Sequence, residues 1–156
     1  MGGQPFTVAL NIMNGRSSIT KSAIVAPLLV PLLVFFYLGF GPVSAGIVHA
    51  GEGLVFGVVL LISAVLGYGL FFITVFPAYW LQRNAPHLFR VARNSGIIGT
   101  VVCGPLSVYV LRLAEAKLTL VDKAAIFIIM GIIPFAMGVL FLALARKFEN
   151  ETSSEI

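Results

Sequence analysis

Charge is what this sequence has least of. Only 10% of its 156 residues are Asp, Glu, Lys or Arg, while 59% are hydrophobic. A soluble domain carries about a quarter charged residues, because its surface faces water. A chain this poor in charge cannot cover a water-exposed surface, and lipid is the solvent that fits it. Cysteine is nearly absent: the single Cys103 excludes an intramolecular disulfide and a cysteine-based metal cluster. The two histidines, His49 and His87, fall on connections assigned below to opposite sides of a bilayer. A metal site wants three or four convergent ligands, so no metal ligand is expected.

The emptiest places are the interiors of the long apolar runs, which hold no Asp, Glu, Lys, Arg or His. Proton- and ion-coupled carriers ordinarily need such a group at depth, because something must bind and release the charge. Ser63, Thr74 and Ser107 have no base beside them to activate a hydroxyl, which argues against nucleophilic catalysis. No ring of charges or carbonyls for an ion-selective pore is evident, and no strand with a Gly-rich phosphate loop occurs. No catalytic residue and no cofactor are expected. The net charge of +4 does not point to nucleic acid, since the basic residues sit at the ends of the apolar runs, where they read as membrane-flank charges.

Four apolar runs are present: about Ala23 to Pro42, Gly53 to Leu81, Gly96 to Leu113 and Ala124 to Ala145. Each reaches roughly the 20 residues a helix needs to cross a bilayer. Backbone polar groups cannot stay unpaired in hydrocarbon, so each run must be helical. Lys21 and the small residues Val43-Ser44-Ala45 resemble a signal peptide and its cleavage site, but the run between them is longer than a signal's apolar core and is taken as a retained span. The expected fold is an all-α integral membrane protein, a four-transmembrane-helix bundle. Residues 1–22 form a cytoplasmic N-terminal segment, 23–145 the transmembrane domain and 146–156 a cytoplasmic, frayed tail.

Sidedness follows from Lys and Arg. Seven of the ten (Arg16, Lys21, Arg83, Arg90, Arg93, Arg146 and Lys147) lie on the side of the termini, and three (Arg112, Lys117 and Lys123) on the other. The positive-inside rule then places both termini and the 82–95 connection in the cytoplasm, in a plasma membrane of bacterial type. Within that connection His87, Arg90, Arg93 and Asn94 fall on one half of a helical wheel and Leu88, Phe89, Val91 and Ala92 on the other. This predicts a short helix lying in the interface. Arg83, Arg90 and Arg93 would meet anionic lipid headgroups there, with Tyr79 and Trp80 at headgroup level. Residues 6–13 are mildly apolar and precede a turn-like Asn14-Gly-Arg-Ser-Ser18; they could lie on the cytoplasmic surface. Asn150-Glu151-Thr152 matches a glycosylation acceptor by chance, since a cytoplasmic tail is not glycosylated. Thr119 and Asp122 have the spacing of a capping box opening the fourth helix.

Small residues stand in register inside three spans. In the fourth, Ala124, Gly131, Gly138 and Ala145 recur every seven positions, which keeps one seam towards a neighbour in a left-handed supercoil. In the second, Gly53, Gly57, Ala64, Gly67, Thr74 and Ala78 share an arc; in the third, Gly96, Gly99, Thr100, Cys103 and Ser107 do. Such seams let backbones approach where lipid supplies no hydrophobic drive between helices. Two readings stay open: the seams pack the bundle internally, or at least one is spare and grips a partner helix. The first span carries Pro27 and Pro31 instead, which deprive carbonyls of the preceding turn of donors. The second span, about 40 Å long, needs tilt or a bend near Gly67-Tyr68-Gly69 or Pro77.

These features imply a non-enzymatic inner-membrane protein acting by helix–helix recognition of another membrane protein, in the manner of a toxin-immunity protein, an exclusion protein or an accessory subunit. In gross plan the chain resembles immunity proteins against membrane-targeted toxins, which are small, four-span and cytoplasmic at both ends. No residue role is carried over from that likeness. On this reading Leu at Gly131 or Gly138 abolishes partner capture while the protein still inserts. The alternatives are self-association into a channel or membrane-permeabilising protein, and a carrier or enzyme for a lipid-like substrate using Tyr68, Tyr79 and the arginines.

Overall fold

The computed structural model describes residues 18–40, 52–82 and 87–154. The described residues are helical apart from short connections, and no strand occurs among them. Four helical runs are long and apolar enough to cross a membrane: Ser18–Tyr37, Phe56–Leu81, Phe89–Leu113 and Leu120–Glu151. The apolar stretch 6–13, the break before Ser18, the small residues 43–45, the connection bearing His49, and Arg83 lie outside the described residues.

The first span consists of α1 (residues 18–25), a 3-10 turn at Ala26–Leu28 and α2 (Leu29–Phe40). It starts before the expected Ala23, and the buried Ser22 hydroxyl is satisfied by donating to the Ser18 carbonyl at 2.7 Å. The tight turn falls at Pro27. A 3-10 pattern would aim the Ile24 carbonyl at the N–H of residue 27, which proline lacks. The Tyr68 hydroxyl donates to that carbonyl instead, at 2.8 Å. This bond, worth on the order of 1 kcal/mol, ties the first span to the second and gives Tyr68 a structural task.

The second span is one helix, α3 (Glu52–Leu81), running through Pro77. The third is α4 (Leu88–Ile98), a π turn at Gly99–Cys103 and α5 (Gly104–Leu113). The wide turn has a cause in sequence. Pro105 has no N–H, and in a regular helix its ring would press on the Val101 carbonyl. The Gly104 N–H reaches back to the Gly99 carbonyl instead, one residue further than usual. α5 ends in a Schellman arrangement: the Glu115 N–H donates to the Arg112 carbonyl and the Ala116 N–H to the Leu111 carbonyl, both at 3.1 Å. Glu115 takes the left-handed position, φ 60°, that glycine usually fills.

The 87–94 segment is not a separate interfacial helix. α4 passes into the third span, and Val91, Ala92 and Ser95 on it are fully buried. Its wheel has two faces, as expected, but the small apolar residues meet protein. Arg90 and Arg93 are exposed. Tyr79 likewise packs its ring edge-on to Phe141, 5.3 Å between centroids, while Trp80 stays 67% exposed.

The fourth span, α6 (Leu120–Ser154), is longer than its apolar part at both ends. Thr119 and Asp122 start it as a capping box: the Thr119 N–H donates to Asp122 Oδ2 at 2.8 Å, and the Asp122 N–H to Thr119 Oγ1 at 3.2 Å. The expected frayed tail is helical through Ser154. An exposed Lys147–Glu151 pair at 3.8 Å supports it weakly, and Lys21 Nζ sits 6.0 Å from the Phe148 ring.

The core lies in one half of the bundle, built from Phe71, Val75, Ala78, Val91, Met137 and Phe141. There α3, α4 and α6 pack on one another, while the remaining helices pair off: α2 rests on α3, and α5 on α6. Between the pairs α3 and α5 barely touch. The bundle is closed at one end and splayed at the other.

Candidate functional site

Much of the small-residue pattern is used to close the bundle. A methyl at Gly96 would lie 3.2 Å from the Gly131 carbonyl oxygen, and one at Gly138 would lie 3.0 Å from Ala92 Cα. At Gly131 it would overlap the Thr100 hydroxyl; at Gly99 it would overlap the Met130 carbonyl oxygen and come within 2.6 Å of Pro134 Cγ. The third and fourth spans thus touch backbone to backbone along Ala92, Gly96, Gly99, Gly131 and Gly138, the contact for which small residues are suited in lipid. Ser95 and Thr100 donate within α4 and the π turn, to the Val91 and Gly96 carbonyls at 2.7 and 3.0 Å, so neither brings an unspent donor into the seam. Cys103 is buried at its end. Gly67 serves the first span in the same way: a methyl there would come 2.6 Å from the Pro27 carbonyl oxygen. That oxygen has no regular helical donor, because residue 31 is also proline.

These glycines therefore belong to intramolecular contacts. Leu at Gly131 or Gly138 would part the third and fourth spans, so a loss of partner capture in those variants would not by itself report on a partner seam. The other small positions are dispersed. Gly53 lies in the first turn of α3. Gly57 is exposed with nothing within 4 Å of an added methyl. Ala64 and Ala145 are half-buried, and Ala124 is exposed.

What the splay leaves is a lateral cleft of about 440 Å³ to which all four spans contribute. Val30 and Met130, both half-buried, line it together with Gly69 and Ile73 of α3 and Leu106 and Ser107 of α5. Its rim is exposed at Val65, Leu66, Ile73 and Leu106. No Asp, Glu, Lys, Arg or His lines it, and among the described residues no three His, Cys, Asp or Glu gather elsewhere. Gly69 has nothing within 4 Å of an added methyl, so its backbone borders open space. Ser63 and Thr74 donate to the Leu60 and Leu70 carbonyls at 2.8 and 2.7 Å. The Ser107 hydroxyl makes no such bond among the described residues. It is the cleft's one unspent polar group besides the Cys103 thiol.

Ser107 departs from its expected seam because of the π turn. One extra residue in the turn rotates everything after it by about 100° relative to α4. Gly96 and Gly99 keep their place against α6, while Ser107 swings towards α3. Pro105 was the visible signal for that shift, as Pro27 was for the donor role that Tyr68 fills. Gly69, Ile73 and Leu106 carried no signal of a shared cleft, because their proximity depends on helix pairing.

A cleft of this size falls within the ~300–1,000 Å³ of small-ligand pockets, yet it offers a polar small molecule almost nothing to orient on. Aliphatic walls, a bare glycine backbone and one hydroxyl suit an apolar rod. Comparison with protein-family models, with curated proteins and with solved structures finds no match to this chain.

Proposed function

We propose that the protein resides in a plasma membrane as a four-span bundle with both ends in the cytoplasm, and that it works without catalysis by gripping an apolar helix of another membrane protein. Membrane residence is supported by the exposed aliphatic girdle, in which Leu61, Val65, Leu66, Ile132 and Val101 all stand more than half exposed. Orientation is supported by the seven-to-three division of Lys and Arg. A cysteine introduced at Arg146 in the Cys103→Ala chain is expected to react with an impermeant maleimide only after the cells are opened. Reaction in intact cells would reverse the orientation.

The observation that carries the recognition reading is the cleft between α3 and α5. Its walls combine Gly69, Cys103 and Ser107, which admit a close backbone, with Val65, Leu66, Ile73 and Leu106, which clasp side chains. An acyl chain would use the aliphatic walls but has no use for the unspent Ser107 hydroxyl; a helix can accept or return a hydrogen bond there. A photoreactive phenylalanine at Leu66 or Leu106 should therefore yield a discrete protein adduct in native membranes. The same probe at Leu61 or Ile129, exposed and away from the cleft, should yield none. An adduct of twice the chain mass would favour self-association instead. Equal labelling from both faces, or none from either, would end the proposal.

A further inference from the structure

A second cavity lies between α5 and α6 at the end where their connection crosses. It measures about 630 Å³. Its apolar lining includes Pro105, Val108 and Phe127. The Phe127 ring is held against Gly104, where an added methyl would come within 3.0 Å of Cδ1. Its mouth carries Arg112, Lys117 and Lys123. Arg112 and Lys117 flank the Schellman turn after α5, and Lys123 follows the capping box at Thr119.

None of these three cations makes a side-chain hydrogen bond or ion pair among the described residues. Two carboxylates are near in sequence, and neither lines the crevice. Asp122 is turned to Thr119, whose hydroxyl donates to it at 2.7 Å, and Glu115 is exposed on the turn. Three cations without an ion-pair partner among the described residues therefore line a crevice that is otherwise largely apolar, at the level where exposed Leu113 and Leu120 end the aliphatic girdle. Repulsion among them is relieved by an anion, and the apolar lining rewards an attached hydrocarbon chain. Tyr109, also lining the crevice and 62% exposed, is the amphipathic ring expected at a lipid–water boundary.

We propose that this crevice binds one anionic phospholipid, with its headgroup phosphate among Arg112, Lys117 and Lys123 and an acyl chain along Val108 and Phe127. Charge-assisted bonds to phosphate oxygens from an Arg fork and two Lys ammonium groups supply the recognition. The site lies on the face of α5 away from the helix-binding cleft and does not depend on it.

Native mass spectrometry of the full chain in detergent tests this, titrated with dioctanoyl phosphatidylglycerol, dioctanoyl phosphatidylcholine or inorganic phosphate. The wild-type chain should bind one phosphatidylglycerol about tenfold or more tightly than phosphatidylcholine, and should lose that preference in Arg112→Gln/Lys117→Gln/Lys123→Gln. Arg146→Gln/Lys147→Gln, at the far end of α6, and Gly69→Leu, in the cleft, should bind as wild type does. Should the triple variant unfold, Lys117→Gln alone should weaken binding about fivefold. Retained binding in the triple variant, an equal loss in Arg146→Gln/Lys147→Gln, equal affinity for phosphatidylcholine, or equal affinity for inorganic phosphate would each overturn the proposal.

Discussion

Gly99→Ala is expected to open the bundle, although it adds a single methyl. That methyl would overlap the Met130 carbonyl oxygen and stand 2.6 Å from Pro134 Cγ. Neither obstacle is the free end of a flexible side chain: one is helix backbone, and the other is a ring locked into it. The remaining relief is to move the third span off the fourth. Such a displacement would also loosen the contacts at Gly96 and Gly138, which have no slack of their own. Overpacking a tight site costs typically 1–3 kcal/mol, and the upper end, about 3 kcal/mol, is expected because backbone would have to yield. Gly57→Ala is the matched control, with nothing within 4 Å of its methyl. It should change stability by about 0.5 kcal/mol or less, or improve it through helix propensity. Reversible unfolding of the two variants in mixed micelles measures the difference. Equal midpoints would mean that the seam does not hold the bundle together.

That seam was legible in sequence as a set of positions and illegible as a pairing. Glycines at 96, 99, 131 and 138 stand out because residues this small are conspicuous in apolar helices, but periodicity says only that they share a face. Whether the face meets a neighbour in the same chain or in another is decided by helix packing, which no local pattern encodes. The four spans were legible because an apolar run of sufficient length has few alternatives. Their ends were less so, since capping and back-bonding can carry a helix past its apolar part. Ser18 to Ser22 already belong to the first span before Ala23, with the Ser22 hydroxyl bonded back to Ser18, and the polar residues after Ala145 continue α6 to Ser154.

The amphipathic wheel around Arg90 shows a different limit. A two-faced helix has one side that avoids water, and Val91 and Ala92 satisfy that requirement against α3 and α6 as well as they would against lipid. The third miss concerns phase. Reading Ser107 into the seam assumed a constant 100° per residue, and the π turn before Pro105 breaks that assumption just where the cleft begins. The open side of the molecule thus follows from the wide turn before Pro105: α5 turns away from the seam, and the face of α3 that bears Gly69 and Ile73 stays uncovered.

Gly69→Leu is the converse of Gly99→Ala: the fold should survive and recognition should fail. The new side chain would enter open space in the cleft, so no backbone has to move. Leucine is also the better helix former by close to 1 kcal/mol, and the unfolding midpoint should stay level or rise. A partner helix seated between Gly69 and Ser107 would meet that isobutyl group where it needs bare backbone. Losing a central contact of this kind costs about 2 kcal/mol or more, which corresponds to roughly 30-fold in affinity. Ser107→Ala should be milder, since an interhelical hydrogen bond in membranes averages about 0.6 kcal/mol, or roughly threefold. Gly57→Leu, on the same helix but outside the cleft, should do neither. The readout is the adduct formed from a photoreactive residue at Leu66, with unfolding measured in parallel. If Gly69→Leu captures its partner as well as the parent does, the cleft is only loose packing. If it unfolds as Gly99→Ala is expected to, the α3–α5 gap is closed in the native protein and no helix enters there.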